Sequence, residues 1–314
     1  MHNCTALLIP IKSLKERKAG LWHLLEHILV SKLISISSFV GYTSEDYIIL
    51  FSNNKIYYEE VLRIIKKIRL NRIQFINIKG ELINEILKTR KNFREYFFKR
   101  VWGKTLYQRS PLGNITSIKR ITIADVSRAN REIIRGPLYY FANGKVTIKK
   151  GRISEQNKGG LGTFRILRMN KMIIEGVDYN IYYFKDGTAQ VYLLEKILQL
   201  MNKDRHIQFS RKLCLNALII ERGAAFPGKE DITKLKEKAV LGISTRMNSI
   251  KKDCFLLARN ELESHYYYMK SWQRMIKEMI RTEEDELIWI ICKIRSYGDT
   301  KIYKGISAKP VRRM

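Results

Sequence analysis

The residues most capable of chemistry are His23-Leu24-Leu25-Glu26-His27, inside the stretch GLWHLLEHILV. Apolar residues at helical spacing across 20–33, closed by the Ser-rich ISISS, predict a helix there. Histidines at i and i+4 stand on one face of it, a turn apart. Two imidazoles so placed can grip one small cation, and Zn²⁺ is the commonest choice for histidine ligands. Glu26, three residues after His23, stands close to the same face. There it can take a proton from a water activated by the cation instead of ligating. The pair alone is an incomplete site, because a catalytic zinc usually takes three protein ligands. At this point a plainer reading stays open, of two solvated histidines beside a carboxylate on an amphipathic helix.

Elements on both sides must position such a helix. Residues 5–10 (TALLIP) and the run across 38–52 ending in DYIILF read as strands. Residues 57–68, 80–100 and 121–134 read as helices, and LYYFANGKVTIKKG as a hairpin turning at Asn143-Gly144. The Gly-rich GGLGTF at 159–164 marks an internal boundary. After it IIEGVDYNIYYFK reads as strand, AQVYLLEKILQLM as helix and CLNALII as strand, and the chain is helical from Ile232 onward. The repeated order suggests an α/β protein with a pseudo-duplicated layout, divided as 1–160 and 165–314.

The 314 residues suffice for one large domain or two ordinary ones. An apolar fraction of 45% excludes a disordered chain. Fifty-nine Lys and Arg against thirty Asp and Glu leave a net charge of +29, which suits polyanions, acidic peptides or anionic surfaces without choosing among them. The basic clusters (KIRLNR, KRVWGK, TIKKGR, AKPVRR) are scattered, and no helix-turn-helix, RNP or zinc-finger spacing accompanies them. A nucleic-acid partner is therefore not expected, although a basic nucleic-acid-binding protein with an accidental motif is the rival from another class. The four cysteines are far apart, which argues against a disulfide-stapled fold and for a reducing compartment. No apolar run has transmembrane length and the N-terminus lacks signal-peptide features. The expectation is a cytoplasmic protein with no membrane partner.

The context of the pentapeptide resembles the pitrilysin/insulysin family of zinc peptidases with the inverted H-x-x-E-H motif. That family includes mitochondrial processing peptidase and small bacterial peptide-processing proteases. The resemblance rests on GLWHLLEH at 20–27, VGYTSEDYIILF at 40–51, ELINEI at 81–86, LYQRSPLGN at 106–114 and NITSIKRITIADV at 114–126, in that order. It implies an α/β (α+β) fold of two pseudo-repeated halves. Each half would be an antiparallel sheet covered by helices on one face, and the two would close like a clam shell.

The resemblance further implies a zinc-dependent endopeptidase or processing protease. His23, His27 and a later glutamate would bind Zn²⁺, with Glu26 as general base. Glu85 is preferred as the third ligand, because apolar residues stand two and three before it and the Pro-Leu-Gly segment follows about 27 residues on, as in the family. Glu81, one turn earlier, is either a support behind the ligands or a solvated residue. A peptide substrate, short or unfolded and preferably acidic, would add as a strand near 40–51, with Tyr42 and Thr43 among its contacts. Val40 stands where the family usually has Asn. Arg211 is the counterpart of an Arg that holds the scissile carbonyl, whereas the Tyr expected about seven residues on is Leu218. The second half is shorter than the family's, so a homodimer or a heterodimer with a related subunit is expected. The companion reading is a non-catalytic or partner-dependent peptide-binding subunit.

Overall fold

The structure is a computed structural model that describes residues 4–11, 18–44, 46–89, 101–102, 112–149, 165–174, 176–185, 188–210, 216–250, 253–266 and 272–299. In chain order its elements are β1 (Thr5–Pro10), α1 (Leu21–Leu33), β2 (Val40–Thr43), β3 (Tyr47–Ser52), α2 (Tyr58–Lys66), α3 (Arg72–Thr89), α4 (Ile115–Arg120), α5 (Ile123–Arg135), β4 (Leu138–Ala142) and β5 (Lys145–Lys149). There follow β6 (Arg165–Ile174), β7 (Val177–Lys185), α6 (Thr188–Met201), β8 (Ile207–Ser210), β9 (Asn216–Glu221), α7 (Lys229–Ile250), α8 (Cys254–Tyr266), α9 (Trp272–Arg281) and α10 (Glu284–Asp299). The chain divides into two compact units, one of Met1–Lys158 with Met247–Trp272, the other of Gly159–Arg246 with Gln273–Met314.

The first unit is built on an antiparallel sheet in the order β2-β3-β1-β4-β5. Strands β1 and β3 are apolar without alternation because both faces are covered. Leu7, Ile9, Ile48 and Leu50 join Leu24, Leu25, Ile28 and Leu29 of α1 in one core, which α2, α3 and α5 complete through Val61, Leu82, Ile86 and Val126. The alternate residues meet α8, where Phe51 packs edge-on against Phe255 and Tyr47 against Tyr266. Helix α8 arrives after the strands of the second unit in sequence, so this second cover was not foreseen from the order of elements.

A disulfide joins Cys4, at the start of β1, to Cys254, at the start of α8. This corrects the expectation of a reducing compartment drawn from the separated cysteines: a sequence separation of 250 residues hides a pair that the fold makes adjacent. The argument for a reducing, cytoplasmic setting loses its basis with it. Among the described residues no helix is long and apolar enough to cross a membrane.

Other differences have local causes. The run 38–52 is a hairpin, because the Ser44 hydroxyl accepts from the backbone N–H of Asp46 and Tyr47 at 3.2 and 3.1 Å and turns the chain. Helix α3 begins at Arg72, ahead of the expected 80. At Asn143 and Gly144 φ is 52° and 73°, as a two-residue hairpin turn requires. The second unit is a four-stranded antiparallel sheet, β6-β7-β9-β8, packed by α6. Strand β6 escaped notice because Arg and Lys interrupt its apolar pattern, and β8 because it has four residues.

Candidate metal and peptide site

Helix α1 lies along one face of the first sheet, and its burial leaves His23 and Glu26 almost without solvent. Its entry is set by a close backbone approach. Gly20, at φ 85°, abuts Gly113, at φ 73°, and a Cβ on Gly113 would stand 2.6 Å from the Gly20 Cα. The glycine before the helix and the glycine of the Pro-Leu-Gly segment thus pack back to back, which gives both a physical reason.

The imidazole Nε2 atoms of His23 and His27 are 3.2 Å apart. Helix α3 brings the Glu85 carboxylate to them, with Oε2 at 3.2 Å from His27 Nε2 and 3.7 Å from His23 Nε2. Its neighbours Leu82 and Ile86 are buried in the core, which fixes the face of α3 that Glu85 presents. Four ligands at zinc bond lengths stand about 3.3 Å from one another at the corners of a tetrahedron. The triangle of 3.2, 3.2 and 3.7 Å fits three of those corners. The residues present therefore suit Zn²⁺, and a fourth corner remains for water or substrate. Glu81, a turn earlier on α3, is exposed and acts on His27 only as a distant charge.

Glu26 also clusters with the two histidines, but it is held differently. Its Oε2 lies 3.6 Å from His23 Nε2 and accepts a hydrogen bond from Thr43 Oγ1 at 3.2 Å. The carboxylate rests on β2 where Gly41 has no side chain, and a Cβ there would overlap it. Glu85 is thus the carboxylate within ion-pair distance of both imidazoles, and Glu26 the one tied to the strand.

The titration of the four groups follows from this arrangement. Burial pushes the Glu26 carboxyl up to about 7, against the opposing pull of His27 and the Thr43 hydroxyl. Burial likewise lowers His23 to about 4, so its imidazole is neutral and ready to donate a lone pair. The hydrogen bond with Glu85 raises His27 above its ordinary value and lowers Glu85 below its own. His23 Nδ1 is buried without a hydrogen-bond partner among the described residues.

Strand β2 is an edge of the sheet. The turn bond from Ser44 N–H to the Tyr47 carbonyl, 2.9 Å, fixes the alternation, so the backbone groups of Gly41 and Thr43 point away from β3. Among the described residues no side chain bonds to them. Thr43 therefore has its hydroxyl on Glu26 and its backbone at the open edge. Tyr42 does not join the cluster. Its ring is on the opposite face, beneath the Arg259 guanidinium of α8 at 4.4 Å, and Glu263 links Arg259, at 2.8 Å, to the Tyr47 hydroxyl. The sequence reading of this site missed Gly41, Arg259 and Glu263, and only Gly41 lay inside a motif that could have exposed it. Arg211 falls outside the described residues. Leu218 is buried in β9, paired with Tyr182 and Phe209.

Comparison with solved structures decides the fold. A peptidase M16 inactive domain from Pseudomonas fluorescens superposes with a TM-score of 0.58 at 11% identity, covering 92% of this chain and 89% of that one. The fold is that of M16-like peptidase domains. A protease from Helicobacter pylori matches with a TM-score of 0.58 at 12% identity over 94% and 90% of the two chains. The periplasmic protease PqqL from Escherichia coli matches with 0.60 at 10% identity, and there the match covers 94% of this chain but 44% of the other. The sequence matches no protein-family profile and no curated protein.

Proposed function

We propose that this chain is a zinc-dependent endopeptidase acting on short or unfolded peptides. The observation that carries the reading is the ligand triangle of His23, His27 and Glu85 beside a separately held Glu26. When bound, zinc would acidify a water and polarise the scissile carbonyl. Glu26 takes the proton of that water and returns it to the leaving amine. A carboxyl near 7 is suited to both transfers at neutral pH. An extended peptide pairs with the outward backbone groups of Gly41 and Thr43, which sets its main chain beside Glu26 with little demand on sequence.

The test is zinc per chain by elemental analysis, joined to peptide cleavage. About one zinc is expected in the wild type and none in the His23→Ala/His27→Ala variant. Glu26→Gln should keep the metal and lose at least about 10²-fold in cleavage rate. Glu85→Ala should lose the metal and Glu81→Ala retain it. Zinc retained by Glu85→Ala would overturn the ligand set, and undiminished cleavage by Glu26→Gln would overturn the base.

A second reading has an observation of its own. Leu218 stands where the resemblance leads one to expect a carbonyl-holding Tyr, and a structure similar in fold is an inactive domain. A peptide-binding subunit that cuts only with a partner, in a homodimer or heterodimer, would bind peptide at β2 yet cleave nothing alone.

A further inference from the structure

The second unit contains a sequence and a topology that repeat the first. Leu24-Leu25-Glu26-His27-Ile28-Leu29 of α1 corresponds to Leu193-Leu194-Glu195-Lys196-Ile197-Leu198 of α6. Tyr192 then stands in the place of His23, and Lys196 in that of His27. The order β1-α1-β2-β3 is matched by β7-α6-β8-β9, and the sheet order β2-β3-β1 by β8-β9-β7; β4 and β6 take the same next place in their sheets, although β4 follows β3 in the chain and β6 precedes β7. Burial agrees too, since Glu195 is 5% exposed and Glu26 6%.

The chemistry at the two positions differs. Lys196 Nζ lies 5.2 Å from the centre of the Tyr192 ring, 3.4 Å from Glu195 Oε2 and 2.9 Å from Gln199 Oε1. A positive charge thus faces the buried glutamate with no ion required. The edge strand differs as well. The bond from Glu221 N–H to the His206 carbonyl, 3.0 Å, sets the alternation so that the backbone groups of Ile207 and Phe209 point away from β9. Those are the groups that an added strand would use. Phe209 N–H donates instead to Glu195 Oε1 at 3.1 Å, and the Ile207 carbonyl accepts from Gln199 Nε2 at 2.7 Å. A second bond from Gln199 Nε2 to Glu195 Oε1, 3.0 Å, ties the two side chains together.

We propose that the second unit carries a copy of the site that is filled from within. The Lys196 ammonium takes the place of a cation, and the Glu195 carboxylate with the Gln199 amide takes the place of a strand on β8. Of the two corresponding edges, β2 accepts a peptide and β8 does not. The parallel with a metal and a peptide rests on the function proposed above; the closure of β8 stands without it.

Amide hydrogen exchange resolved by residue, on the full chain, tests this. Phe209 should be protected in the wild type although its N–H faces an edge, and Glu195→Ala should lower that protection at least about tenfold while Gln208, bonded to β9, is unchanged. Lys196→Met should lower the melting temperature by roughly 5 °C or more, and Lys196→Met/Glu195→Gln should recover most of the loss. A Phe209 amide exchanging in the wild type as fast as an unpaired one would overturn the closure, whether or not any variant folds. A Lys196→Met protein as stable as the wild type would overturn the internal cation. An unstructured Glu-rich peptide added to Glu26→Gln should slow the Gly41 and Thr43 amides and leave Phe209 as it was. Failure at Gly41 and Thr43 alone would count against the peptide reading and leave the closure of β8 standing, whereas further slowing at Phe209 would sink the proposal.

Discussion

A carboxylate can serve a metal as ligand or as proton carrier, and the neighbours of its oxygens decide which. Glu85, two-fifths exposed, reaches in from a second helix and meets both imidazoles. Glu26 is buried, bonded to Thr43, and seated where Gly41 leaves room. Gly41 is therefore the residue on which the position of the Glu26 carboxylate depends. Gly41→Ala would push the carboxylate off the strand, because the added Cβ overlaps it. On the function proposed above, cleavage is expected to fall at least about 10²-fold, since an ångström of misplacement costs about that much, while zinc content, there assigned to three other residues, stays the same. A Gly41→Ala protein that cleaves normally would mean that Glu26 does not work from this seat.

At the scale of elements, α8 is the cover that the linear order conceals. It lies on the face of β1, β4 and β5 opposite α1, holds Tyr42 and Tyr47 through Arg259 and Glu263, and is bonded to β1 through Cys4 and Cys254. A cross-link between residues so far apart removes freedom from the unfolded chain, an effect of about 2–4 kcal/mol in most proteins. Cys254→Ser should therefore melt several degrees below the oxidised wild type. A reductant should bring the wild type down to the same temperature and leave the variant unmoved. Equal melting in all these conditions would show that α8 is held by packing alone. The sequence revealed α1 and the clustering of His23, Glu26 and His27 because a helix displays its period locally. It concealed the disulfide, the cover by α8 and the charged strand β6, because each depends on a neighbour remote in the chain. Glu85 was legible through its spacing to a motif, whereas Arg259 belonged to no pattern at all.

For the molecule as a whole, the excess of 59 basic over 30 acidic residues is a long-range field, independent of any contact. Were β2 the docking edge, that field would raise the local concentration of acidic peptides without changing how the main chain pairs. A Glu-rich peptide should accordingly show a KM that rises steeply between about 50 and 200 mM salt, while kcat holds and a neutral peptide of equal length changes little. Equal salt dependence for the two peptides would remove charge as a determinant of choice. The fold, shared with M16-like peptidase domains at 10–12% identity, is thus compatible with a selectivity that lies in surface charge and is absent from the motif.

The return of α8 also sets an order of events at the ribosome. Strands β1, β3 and β4 are made first, yet the helix that shields Tyr47, Phe51 and Tyr139 emerges only after the whole second sheet. At ordinary synthesis rates the wait is on the order of ten seconds. During it the first sheet exposes an aromatic surface that α8, still unmade, is to cover. The unit begun first is therefore completed only after the strands of the second sheet are made, and a nascent chain stalled before residue 254 would need a chaperone to stay in solution.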